Sequence, residues 1–247
     1  MKYNTTRMTS INKTARLAGL VYLLLIVCGI INLIYIPSQL IVWDNATATF
    51  ENIMGSEGLF RWGVVSGIIT FLAFLVLPLL LYQLLSRVSK VHAQLMVILV
   101  LVSIPLSFAN ILSKLHVLSL IRQPELVQGM GQTVLQTQVM LHLDHYNNGI
   151  ELSQIFWGLW LLPFGYLVYK SGFLPKLLGI LLMAGCFGYL ITFFGGFLYP
   201  DFYQTTFSTI VGLPASIGEI GTCLWLLIMG TNQLNIKKRL SSASYAK

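Results

Sequence analysis

Residues 155–200 read IFWGLWLLPFGYLVYKSGFLPKLLGILLMAGCFGYLITFFGGFLYP, two apolar runs parted by a short basic break from Lys170 to Lys176. Each run is about twenty residues long, the length at which a helix rising ~1.5 Å per residue crosses a ~30 Å hydrocarbon layer. Pro163 lies inside the first run, where a membrane helix tolerates it as a kink, and Pro200 with Asp201 stops the second. The pair reads as two spanning helices joined by a tight, positively charged turn.

The rest of the chain repeats the pattern. Of its 247 residues 56% are hydrophobic and 9% charged, where a soluble domain carries roughly 25% charged residues. Mean hydropathy is +0.77. No soluble domain hides this much apolar surface, so the composition predicts an all-α integral membrane protein. The formal charge of +7 sits in short basic clusters beside the apolar runs, and no RNA or DNA motif is present. Nucleic acid is therefore excluded as the expected partner, and the lipid bilayer takes its place.

Six stretches reach spanning length, at about 17–36, 62–85, 95–115, 150–169, 177–198 and 210–229. Pro37 is expected to stop the first, while Pro78 and Pro105 fall inside the second and third. The first run is longer than the apolar part of a cleaved signal and no A-x-A site ends it, so it reads as a retained span. Twelve of the fifteen basic residues fall on one side of this arrangement, in the N-tail, the two short connections and the C-tail. Arg61 and Arg122 lie on the other side, with Lys114 at a helix end. The positive-inside rule then puts both termini in the cytoplasm. The expected organisation is a basic N-tail over 1–16, a single six-helix domain over 17–230 and a basic C-tail over 231–247, in a bacterial plasma membrane.

Two outer connections are long. WDNATATFENIMGSEG, 43–58, predicts a short helix capped by Asp44 and closed by Gly55. QPELVQGMGQTVLQTQVMLHLDHYNNG, 123–149, has Pro124 suited to a first helical position, and Leu126, Met130, Val134 and Leu141 recur near helical spacing. Both segments are expected to form amphipathic helices on the outer face. Gly63 with Gly67, and Ala184 with Gly188, predict close helix contacts within the chain. Cys28, Cys186 and Cys223 lie in apolar segments and read as small buried hydrophobes.

Residues 155–200 also resemble the most recognisable block of a bacterial membrane family catalogued as domain of unknown function 4386. ARLAGLVYLLLIVCGI at 15–30, ENIMGSEGLFRWGVV at 51–65 and IGEIGTCLWLLIMG at 217–230 resemble its other blocks, so the likeness covers about 12–230. Its most specific part is GYLVYKSGFLPKLLGILL, 165–182. The resemblance implies a multi-pass bacterial membrane protein and a histidine near His145. It carries no catalytic residues over.

Two constellations could carry chemistry. Ser107, Asn110 and Lys114 share a face of the third span with Ser103, and Ser216, Glu219 and Thr222 share a face of the sixth. Polar stripes of this kind point into protein, not lipid. Side chains lean toward a helix N-terminus, so Lys114 and Glu219 lean toward each other if the two helices are neighbours. That contact reads either as a strut or as the floor of an outward-facing site. The second constellation is HLDHYNNGIE, with His142, Asp144, His145 and Glu151, joined by His116. Two histidines and a carboxylate can bind zinc or iron, but this spacing matches no HExxH or other strong signature, so no metal or cofactor is expected.

GxSxG, Walker A and GxGxxG are absent, and SxxK occurs only in the tails. Three readings remain: a protein that binds or moves a small or lipidic solute through an outward-facing polar pocket, an outward-facing membrane enzyme on a lipid or envelope substrate, and a non-catalytic scaffold or regulator. The missing motifs tilt the reading away from an enzyme.

Overall fold

A computed structural model describes residues 2–122, 131–199 and 201–231, with the backbone alone over 2–10. Every regular element in them is helical. In chain order these are α1 (Lys2–Ile30), a π-helical turn (Ile31–Tyr35), α2 (Ile36–Leu40), α3 (Ala46–Gly55), α4 (Glu57–Leu85), α5 (Lys90–Arg122), α6 (Gln132–Ser171), α7 (Lys176–Leu198), a 3₁₀ turn (Phe202–Gln204) and α8 (Thr206–Ile228). Six are long and apolar enough to span a bilayer: Ile11–Leu40, Glu57–Leu85, Lys90–Arg122, Gln132–Ser171, Lys176–Leu198 and Thr206–Ile228. This is the all-α, six-span architecture that the apolar runs imply.

The element ends differ from the apolar runs, because hydropathy marks where lipid begins and not where a helix ends. Pro37 does not stop the first span. It enters the first turn of α2, directly after the widened turn in which the Ile36 amide donates to the Ile31 carbonyl. The π spacing absorbs the donor that proline lacks, and the helix runs on to Leu40. Asn45, not Asp44, caps α3, its side chain accepting from the Ala48 amide at 2.9 Å. The helix does close at Gly55.

The larger difference is α6. Its 40 residues form one helix of ~60 Å, about twice the hydrocarbon thickness. The separate amphipathic helix expected over 123–149 is instead, from Gln132 onward, the polar first half of this element. Pro124, Leu126 and Met130 lie outside the described residues, as do Pro200 and the C-tail beyond 231.

The chain forms two compact units, one of 1–23, 74–103 and 154–247, the other of 24–73 and 104–153. In the first, Trp160 is 2% exposed, stacks on Phe164 at 5.1 Å and forms a T-shaped pair with Phe74 at 5.3 Å. Helix α7 lies against α8 so closely that a Cβ on Gly185 would fall 2.7 Å from the Ala215 Cα. Gly188 makes the neighbouring contact, on Val211, while Ala184 is exposed. The small-residue pair is therefore Gly185 and Gly188, one position off the expected pair. In the second unit Gly63 packs on Ile36 and Gly67 on Asn32, as the spacing implies. All three cysteines are buried and unbridged.

Large apolar side chains are widely exposed, Phe197, Val91 and Ile34 among them. Exposed apolar surface on this scale fits a lipid solvent.

Candidate functional site

The second unit holds a polar centre built from three helices. Ser107, Asn110 and Lys114 lie on one face of α5, and all three are buried, Lys114 to 4% exposure. Lys114 Nζ donates to Asn32 Oδ1 at 2.7 Å and stands 4.1 Å from the ring centre of Tyr146. Asn32 Nδ2 in turn donates to the Tyr146 hydroxyl at 2.7 Å. The three side chains close a triangle in which the amide serves both others and the aromatic face receives the amine.

Local sequence explains why this triangle forms here. Asn32 belongs to the π turn, and such single wide turns inside helices recur at functional sites. Gly67 lets α4 lie over it: a Cβ there would stand 3.1 Å from the Asn32 amide. Asn110 Nδ2 donates to the Tyr146 carbonyl at 2.9 Å, and Gly149 leaves the space that the Asn110 side chain occupies. Among the described residues Lys114 has no ion pair, since the two pairs found there both involve Glu57.

The histidines lie nearby in sequence but form a separate cluster. His116 and His142 ring centres are 5.0 Å apart, and those of His142 and His145 are 6.2 Å apart. His116 and His145 are exposed. Asp144 accepts from Asn148 at 3.0 Å and Glu151 from Asn147 at 3.3 Å, each one turn along α6. The two acids thus bond amides of their own helix. Among the described residues no group of three or more His, Cys, Asp and Glu is arranged to hold a metal ion.

The first unit holds the other polar centre. Glu219 on α8 accepts from the Tyr22 hydroxyl through Oε2 at 3.0 Å and from the Tyr189 hydroxyl through Oε1 at 3.3 Å. Tyr22 is fully buried and meets Trp160 edge-on at 6.4 Å. Thr222 is buried and donates to the Gly218 carbonyl at 2.6 Å, and Ser216 is exposed and donates to that of Gly212. Both hydroxyls therefore serve their own helix. Glu219 and Lys114 each have other partners than the expected one, and they belong to different units.

Sequence reasoning missed Asn32, Tyr22, Tyr146 and Tyr189. The signal for Asn32 was legible, since it is the one amide in an otherwise apolar first span. The tyrosines carried none, because each also reads as an ordinary apolar or belt residue.

No solved structure gives a significant match to this chain. An archaeal protein of Archaeoglobus fulgidus, named only "Uncharacterized protein", is 35% identical over 81 residues, which is 33% of this chain and 46% of that protein. The chain thus spans about half the length of that curated relative. The family described as Domain of unknown function (DUF4386) matches residues 17–230, from the first span to the end of the last. On that match, which takes in most of its length, the chain belongs to the DUF4386 family.

Proposed function

We propose that this protein sits in a bacterial plasma membrane with both termini in the cytoplasm, and binds or moves a small or lipidic anionic solute. Lys114 is the group that recognises the charge. One observation carries the reading: Lys114 is almost fully buried inside a spanning helix, with an amide and an aromatic ring as partners and no ion pair among the described residues. An ionisable side chain at such a place is expensive. An entering carboxylate or phosphate supplies the missing counter-charge, and Asn32 and Tyr146 hold the amine ready for it.

The test is a panel of anionic solutes and lipids, scored by thermal shift on detergent-purified protein and repeated on Lys114→Met. At least one anion raises the melting temperature of the parent and leaves Lys114→Met unmoved. Equal shifts in both proteins would overturn the reading.

A scaffold without a ligand is the second reading. It is favoured by the internal bonds that both Lys114 and Glu219 already make. There Lys114→Met lowers the melting temperature and no anion in the panel shifts the parent. Reporter fusions to each terminus test the orientation, with a cytoplasmic signal expected at both ends.

A further inference from the structure

A distinct charged site lies where α4 begins. Glu57 stands in the first turn of that helix, a position that suits an acid because the free amides of a helix start favour negative charge. Its Oε1 accepts from Arg61 Nε, one turn further along, at 2.6 Å. The same oxygen lies 2.6 Å from the Nε of Arg122, the last residue of α5. A single carboxylate oxygen therefore draws together two guanidinium groups from two helices.

Among the described residues the charges do not balance, because one acid faces two cations. Both arginines are engaged through Nε, the inner nitrogen. Among the described residues no further hydrogen bond or ion pair is found for either. Their terminal nitrogens form the planar fork that matches phosphate oxygens, which a lysine cannot reproduce. The two side chains are 42% and 60% exposed, so a ligand can reach them. Exposed ion pairs of this kind add little to stability, which leaves the convergence itself without a structural purpose.

Depth points to the occupant. Trp62 follows Arg61 directly and is 67% exposed, and Tyr35 and Trp43 are exposed as well. Exposed Trp and Tyr gather at the level of lipid headgroups. The apolar run of α4 begins at Trp62, so Arg61 marks the step from hydrocarbon to headgroup.

We propose that Arg61 and Arg122, held side by side by Glu57, form a binding site for a phosphate group, filled in the membrane by the phosphodiester of a lipid. The site is independent of the Lys114 reading. Delipidated protein in a nonionic detergent is titrated with phosphatidylglycerol, with inorganic phosphate, and with diacylglycerol, which has the same chains and no phosphate. Bound lipid is counted by native mass spectrometry. The parent protein retains phosphatidylglycerol and not diacylglycerol, and Arg61→Gln/Arg122→Gln weakens retention at least ~10-fold, with Arg61→Lys/Arg122→Lys in between. Inorganic phosphate that protects equally well would assign the site to free phosphate and keep the chemistry. A second measurement needs no variant: phenylglyoxal labelling of Arg61 and Arg122 in the parent falls when phosphatidylglycerol or phosphate is present. Equal retention of diacylglycerol, equal retention by the glutamine variant, or unchanged labelling overturns the proposal.

Discussion

Tyr22 and Glu219 stand 197 positions apart in sequence and meet at 3.0 Å, the phenol of the first span donating to the carboxyl group of the last. With Tyr189 on the other oxygen, both ends of the carboxyl group are engaged. Inside a membrane segment this is how an acid is made tolerable, since an unsatisfied polar group in hydrocarbon is costly.

Removing that phenol hydroxyl leaves one carboxyl oxygen without its donor. Tyr22→Phe keeps the ring against Trp160, so packing is spared and the loss reads the hydrogen bond alone. A hydrogen bond contributes ~0.5–1.5 kcal/mol, rising to ~1.5–3 kcal/mol where one partner is charged. Thermal unfolding in detergent should show a drop of that order. A double-mutant cycle with Glu219→Leu, which removes the acceptor, should give a coupling of at least ~0.5 kcal/mol between the two positions. Additive effects would mean that the contact contributes nothing.

Glycines that touch and glycines that do not should respond in opposite directions. A Cβ on Gly185 meets the Ala215 backbone at 2.7 Å, and backbone cannot step aside. Gly185→Ala should destabilise the α7–α8 contact by ~1–3 kcal/mol or more. Gly212 is also helical and has nothing within 4 Å of the same position. There the alanine restricts the unfolded chain and favours helix, a gain of ~0.5–1 kcal/mol. Melting temperatures that move together would contradict this packing.

Gly149 tests the second polar centre in the same way. A side chain there runs into the Asn110 amide, which must swing away and give up the Tyr146 carbonyl. Gly149→Ala should therefore cost ~1–3 kcal/mol despite its better helix propensity. Gly212→Ala, helical and with nothing within 4 Å of a Cβ there, is the matched control and should not lose stability.

Span number was legible because hydrophobic length is a one-dimensional property, and a run such as 177–198 declares itself without reference to any neighbour. The α5 stripe was legible for a related reason. Helical spacing alone puts Ser107, Asn110 and Lys114 on one face, and that face is buried. The partners were not legible. Which helix lies beside α5 is decided by close approaches such as Gly149 on Asn110, and a glycine in sequence does not say which side chain it makes room for. The continuation of α6 through 132–149 was hidden too, since polar residues interrupt the hydropathy signal without breaking the helix. The π turn adds a residue to one turn, and no residue pattern in IINLIYIP announces it beyond the proline that follows.

Asn32→Asp separates the solute-binding reading from the strut. The aspartate oxygen takes the place that Oδ1 holds at 2.7 Å from Lys114 Nζ, so the amine gains an internal counter-ion. The second oxygen replaces Nδ2, and the Tyr146 hydroxyl, which can donate as well as accept, turns to donate to it. Every polar atom of the triangle stays bonded, so the variant should fold and melt at or above the parent temperature. Its effect on ligand is opposite. An anion that binds because Lys114 lacks a counter-charge now competes with a covalently tethered one, and a tethered group acts at an effective concentration in the mM range or above. The thermal shift given by the best anion of the panel should fall by at least ~10-fold in apparent affinity. A well-folded Asn32→Asp protein with undiminished anion affinity would place the ligand elsewhere. A parent and variant that both ignore every anion would return Lys114 to the role of a strut between α5 and the π turn.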